Sequence, residues 1–381
     1  MAYFDNAATT YPKPDCVYDY MDRYYRANGA SAGRGNYTGA VSASKLIADT
    51  RQKIQNVLNC NNKQIIFTPT ATIALNIIIQ GLLRADNKTV YITPFEHNAI
   101  TRTLHAFEMK GVIEVIQLEV DETLQYDLNN IAKQFSSQKP DIVIMSHASN
   151  VCGLITPVED IAKIAKGYDA TVVVDMAQTA GLVECNVGLE TIDYAVFAGH
   201  KTLYGPTGVS GFAMKPELEL EPVFYGGTGY DSANQEMPVS LPERFEFGTT
   251  NIVGIAGLNA ALDWLISTGK ESIQLKEQEN RKRLINLLKG YSFINFVGLN
   301  EELKYVGVVS VLIDGISSDS AGSIFDRLGI AVRTGLQCAP VAHRRLGTFP
   351  AGTIRFSVSY FTCDKDFEQL ETALDYIRDN L

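Results

Sequence analysis

Four short apolar runs punctuate the first two hundred residues, at positions 89–92, 142–145, 171–174 and 195–197. Each is rich in β-branched residues, is bounded by turn formers and does not alternate with polar positions. That pattern predicts strands buried on both faces. The segments between them follow a helical period. Positions 42–58 place Leu46, Ile47, Ile54 and Leu58 on one stripe with a polar back. Positions 129–135 and 157–165 read as crossover helices. Strands alternating with helices predict a mostly parallel sheet covered on both faces, the α/β class.

The pattern changes after about residue 255. Two long helical stretches, 252–267 and 271–289, lead into the apolar run 305–313. A helix near 318–328, strands around Val332 and at 354–358, and a last helix from Asp366 follow. The division expected is a large domain over residues 15–255 and a smaller α+β domain made of residues 1–14 and 256–381. Between them, residues 225–248 are rich in glycine, proline and polar side chains. They form a connection longer than routine, of the kind used as a lid or an interface arm.

Composition narrows the possibilities. The 381 residues are 46% hydrophobic and 20% charged, with a net charge of −10, as in ordinary globular proteins. No basic run suggests nucleic acid as a partner, and no apolar stretch of about 18 residues suggests a membrane span. The first residues lack the basic and apolar regions of a signal peptide. Six scattered cysteines with no CxxC spacing argue against a metal site and for reduced thiols in a cytoplasm.

Candidate chemistry gathers at strand ends. Asp175 closes one predicted strand, and the next leads into Phe197-Ala198-Gly199-His200-Lys201-Thr202-Leu203-Tyr204-Gly205. A buried acid and a lysine in that relation suit pyridoxal phosphate: the lysine forms an imine and the carboxylate keeps the ring nitrogen protonated. Burial and the neighbouring His200 would lower the lysine's pKa. Thr68-Pro69-Thr70-Ala71-Thr72 opens an apolar helix and reads either as an anion site or as a plain N-cap. His97, after another strand, either stacks on a flat ring or caps a helix. Asp175 alone is equally a strand-end cap, and Lys201 alone a surface lysine.

Taken in order, these motifs resemble the class V aminotransferases over nearly the whole chain, from Asp5-Asn6-Ala7-Ala8-Thr9-Thr10 to Arg355. The resemblance implies the fold type I architecture of pyridoxal phosphate enzymes, with a large mostly parallel-sheet domain and a smaller α+β domain. It implies that His97 stacks on the ring and assists proton transfer, Asp175 meets the ring nitrogen, Gln178 binds the ring oxygen and Lys201 carries the imine and moves the protons. Ala71, Thr72 and His200 would bind phosphate. Gly248-Thr249-Thr250-Asn251 would reach the phosphate of a neighbouring subunit, giving a homodimer with shared sites.

Within that class, Arg333-Thr334-Gly335-Leu336-Gln337-Cys338 resembles the RTGxxC loop of the second group of cysteine desulfurases and of selenocysteine lyases. The resemblance implies a nucleophilic Cys338 that takes sulfur from L-cysteine and leaves L-alanine, with arginines such as Arg333 favouring the thiolate. Arg355 would hold the substrate carboxylate, Asn150 would sit beside cofactor and substrate, and Arg34 would line the entrance. The persulfide would pass to an acceptor protein, for iron–sulfur clusters or another sulfur pathway. Ala198 stands where the desulfurases carry a hydroxyl, Gln337 stands where they carry histidine, and 226–247 is shorter than their interface hook. Three other readings stay open: selenocysteine lyase, another class V reaction with Cys338 a bystander, and a sulfur-relay scaffold without catalysis.

Overall fold

The computed structural model describes residues 1–33, 35–84, 88–230 and 233–380. Seven strands form the main sheet in the order Gln64–Thr68, Ser210–Met214, Tyr194–Ala198, Thr171–Asp175, Ile142–Ser146, Lys88–Ile92 and Ile113–Gln117. Neighbours run parallel except around Ser210–Met214, which is antiparallel to both of its partners. The apolar runs read from sequence supply the centre of this sheet. Ser210–Met214 escaped that reading because serine and glycine open it. Gly211 has a packing reason: a Cβ there would lie 2.2 Å from the Ile66 carbonyl oxygen.

Both faces are covered, as unbroken apolar strands require. On one face Val172, Val174, Ala195 and Phe197 pack in the same core as the buried sides of Thr38–Val57, Leu128–Ser137, Val158–Lys166 and Ile252–Thr268. On the other, Ile144, Val173, Val196 and Phe212 pack with Ala71–Leu82 and Asn98–Glu108. The expected domain boundary at 255 falls inside the helix Ile252–Thr268. Its Ile255, Leu258, Ala261, Leu262 and Leu265 belong to the large core, and the chain bends by 85° between this helix and Lys270–Lys289.

The second unit is a four-stranded antiparallel sheet in the order Arg333–Gly335, Thr353–Ser357, Val308–Ile313, Ile294–Val297. Helices Lys270–Lys289, Ser318–Arg327 and Asp364–Asn380 share its core through Leu284, Phe325 and Leu370. The chain start joins this unit: Ala2–Tyr3 pairs in parallel with Ile330–Ala331, and Phe4 is buried in the same core. No single helix among the described residues is long and apolar enough to cross a membrane.

Candidate active site

Ser146, Asp175 and Ala198 are the last residues of adjacent parallel strands. Ligands of open α/β sheets bind outside such carboxyl ends. A cavity of about 220 Å³ opens there, lined by Ala71, Thr72, His97 and Asn150 on one side and by Asp175, Gln178, His200 and Lys201 on another. Eight of the residues singled out from sequence therefore meet at one cavity.

One end suits a phosphate. The helix Ala71–Leu82 begins there, and its first-turn N–H groups have no helical carbonyl before them. The cap is Thr70, whose side chain accepts from the Ile73 N–H at 3.2 Å, which leaves the exposed Thr72 side chain free of capping. His200 is neutral near pH 7, held down to about 4 by burial and by the charges of Lys201 and Lys13. Its Nδ1 is buried and has no partner among the described residues. Lys13 donates to the His200 carbonyl at 2.6 Å, and burial pushes its amine down to about 7. Ser210, the register partner of Ala198, is buried with its hydroxyl unpartnered.

The opposite wall suits a flat cationic ring. Asp175 is buried, and its Oδ1 accepts from the Ala177 N–H at 2.9 Å. Burial raises its pKa, while that hydrogen bond and the Lys201 charge pull it back down. No donor among the described residues reaches its second oxygen. Gln178 donates to the Ala7 carbonyl at 2.9 Å, which fixes its amide at the cavity edge. His97 caps the helix Asn98–Glu108, its Nδ1 accepting from Ala99 N–H at 3.0 Å. Burial, then Lys201 and Arg355, hold it at about 4. The ring is thus neutral with its proton on Nε2. The same histidine that caps the helix also lines the cavity.

Lys201 is half-buried, and its amine is pushed down to about 8, first by burial. Next to His97 in the chain, and near enough to Asp175 for its charge to be felt, is a residue that sequence reasoning missed. Glu96 is fully buried and accepts from Thr93 Oγ1 and Ser146 Oγ, both at 2.6 Å, and from Ser146 N–H at 2.8 Å. Burial raises its pKa to about 7, against the pull of those hydrogen bonds.

The small unit supplies the third wall. Arg355 is buried on the strand Thr353–Ser357. It donates to the Asn150 carbonyl at 2.9 Å and to Asp5 Oδ1 at 2.8 Å, and its Nε is buried without a partner among the described residues. Asp5 Oδ2 accepts from Arg333 at 2.8 Å, so Arg333 is committed to this acid rather than free beside the thiol. Asp5 is the second residue missed, since its partners lie more than 300 positions away. Cys338 is an exposed free thiol, near enough for its charge to bear on both Lys201 and Arg355. Its carbonyl accepts from Asn98 N–H at 2.7 Å, and Asn150 Nδ2 donates to the Gln337 carbonyl at 2.7 Å. Two expectations lie elsewhere. Arg34 falls outside the described residues. Thr249 is exposed and lines a separate apolar pocket with Phe67, Phe245 and Phe247.

The residues present fit pyridoxal phosphate. The orphaned His200 nitrogen and the open helix turn suit a phosphate, the unpaired Asp175 oxygen suits a protonated ring nitrogen, and an amine near neutrality suits an aldehyde. A family model described as Aminotransferase class-V matches residues 2–370. The chain belongs to this family. Its members depend on pyridoxal phosphate, and this class V chain has the expected α/β fold. It is 32% identical over 389 residues to a probable cysteine desulfurase of Halalkalibacterium halodurans, covering 98% of this chain and 92% of that one. It is 29% identical to a probable cysteine desulfurase of Methanothermobacter thermautotrophicus, covering 98% and 94%. Among solved structures, the apo cysteine desulfurase of Thermococcus onnurineus NA1 superposes with a TM-score of 0.92 at 29% identity, covering 100% of this chain and 95% of that one.

Proposed function

We propose that this class V enzyme is a cysteine desulfurase that converts L-cysteine to L-alanine and leaves a persulfide on Cys338. The observation that carries the reading is an exposed thiol tied by its own carbonyl to Asn98, one residue from His97, across from a buried arginine with an unpartnered Nε. Bound pyridoxal phosphate supplies an aldehyde for the substrate amine and a ring that holds the electron pair released at Cα. Phosphate binding falls to the first turn at Ala71 and Thr72 and to His200, and the ring nitrogen to Asp175. Gln178 holds the ring oxygen and His97 covers the ring.

Arg355 binds the substrate carboxylate in a pocket already dry enough to lower its own pKa. Lys201 Nζ takes the Cα proton and returns one to the alanine product, for which an amine near neutrality is suited. The Cys338 thiolate attacks the substrate sulfur, the S–S bond forms as the Cβ–S bond breaks, and the product carbon takes a proton. The exposure of Cys338 leaves its persulfide within reach of an acceptor, which fits sulfur supply to iron–sulfur clusters or a related pathway. Thr249 lines a pocket other than its own chain's cavity, which supports a homodimer in which Gly248–Asn251 serves the partner's phosphate. Six cysteines without a disulfide agree with action in a reducing cytoplasm.

The test is single-turnover alanine formation from L-cysteine by wild-type and Cys338→Ser protein, with the visible cofactor band recorded. The variant should bind cofactor normally and form neither alanine nor persulfide. Normal turnover by Cys338→Ser would overturn the reading and leave L-selenocysteine, or another class V substrate, to be tried.

A further inference from the structure

Gln337 and Cys338 both occupy the left-handed region, at φ 38° and 57°. Neither is glycine, and such conformations persist only where the surroundings over-determine them. The two carbonyls are held by the large unit, through Asn150 Nδ2 at 2.7 Å and Asn98 N–H at 2.7 Å. The Gln337 side chain turns the other way, into the small unit, where it is buried. Its Nε2 donates to the Thr353 carbonyl at 3.0 Å, and its Oε1 accepts from His343 Nε2 at 2.8 Å.

His343 is completely buried, on the helix Pro340–Arg345 that starts just after Cys338. With its Nε2 donating to the amide oxygen, its Nδ1 is left to accept the Thr348 hydroxyl proton, at 2.7 Å. Thr353 begins the strand that carries Arg355. Gly352 permits the approach, since a Cβ there would lie 2.1 Å from the Gly335 backbone. The loop is therefore pinned on both sides, while the Cys338 side chain itself remains exposed.

We infer that His343, acting through Gln337, is the positioning residue that fixes the direction of the Cys338 thiol. The inference rests on Cys338 being the sulfur nucleophile. Gln337 and Cys338 share a peptide unit, so rotation at Gln337 swings the Sγ directly. Sulfur transfer needs aligned attack, and a displacement of about 1 Å lowers the rate by about 100-fold. Gln337 is accordingly a structural anchor here rather than a group that meets departing sulfur.

The experiment uses cofactor-loaded enzyme and compares His343→Ala, Gln337→Ala, the double variant and the exchange Gln337→His with His343→Gln. Each single change should lower kcat about 10–100-fold, with KM for L-cysteine and the visible cofactor band unchanged. The double variant should be no worse than the poorer single, since one contact is lost in both. The exchange rebuilds the hydrogen bond in reverse and should recover much of the loss. If His343→Ala does not fold, Gln337→Ala carries the same test. Full kcat in the single variants, or losses that multiply in the double or track loss of cofactor, would overturn the inference. Cys338→Ser in the same assay separates the two readings. An active Cys338→Ser removes the nucleophile itself, whereas an inactive one beside fully active His343 variants removes only the positioning role.

Discussion

Replacing Lys201 by methionine should make the cofactor-free protein more stable, and the gain should vanish at high pH. The amine falls from its ordinary 10.5 to about 8, through burial first, with Asp175 drawing it back up and Arg355 adding to the fall. Below about pH 8 it is protonated in folded and unfolded chains alike, so the fold bears the full cost of a poorly solvated cation. Between 8 and 10.5 the unfolded chain alone keeps its proton, and the cost shrinks as pH rises. At about 1.4 kcal/mol per pH unit the fall corresponds to roughly 3 kcal/mol. Lys201 is only half-buried, which brings the expected gain to about 2 kcal/mol. Urea unfolding of cofactor-free wild-type and Lys201→Met proteins, from about pH 6 to about pH 10, measures the difference. Lys13, which is lowered to about 7, titrates in both and cancels. A variant less stable near neutrality, or a gain that is undiminished at about pH 10, would refute the argument that this site is built to hold a neutral amine.

Arg355→Lys should raise KM for L-cysteine by at least about 10-fold with a smaller fall in kcat, because an ammonium cannot bind a carboxylate in two places; an unchanged KM in an alanine-formation assay would remove the carboxylate role. Asp5→Asn leaves the buried Arg355 guanidinium without its counter-ion and should destabilise the protein by about 2–4 kcal/mol in urea unfolding; a loss below about 0.5 kcal/mol would show that the pair is not needed. His97, held at about 4, should stay neutral with its proton on Nε2 down to about pH 5 in nitrogen-labelled NMR spectra; a midpoint near 6.5 would contradict its burial.

The large domain was legible because parallel strands buried on both faces cannot hide their composition: 142–145, 172–174 and 195–197 are apolar throughout. Their carboxyl ends then announce the site, since Asp175 and Lys201 follow strands with little intervening chain. What stayed hidden depends on contacts made far along the sequence. Asp5 reads as an unremarked acid until Arg333 and Arg355 arrive from the other end. Glu96 reads as the neighbour of a histidine until the sheet brings Ser146 against it. Thr70 and Thr72 are chemically equivalent in a sequence, and only the helix start assigns the cap to Thr70. The boundary expected at 255 falls within the helix Ile252–Thr268, which is apolar on nearly every side. A helix of that kind is equally at home in either core, and only packing assigns it.

The two departures from the desulfurase pattern differ in kind. At Ala198 a hydroxyl is absent from the cavity wall, and the nearest hydroxyl across the sheet, Ser210, is buried and unpartnered. Under the proposed function the phosphate end would rely on the helix turn and on His200, whose Nδ1 has no partner among the described residues. At Gln337 nothing is absent. The amide makes three hydrogen bonds to two residues of the small unit: to the Thr353 carbonyl, from His343 and, at 3.3 Å, from the Thr353 hydroxyl. A histidine in this position would need a different set of donors, because His343 already donates toward it. The hydrogen bond therefore couples positions 337 and 343, and a sequence that changes one of them must change the other to keep Cys338 where it is.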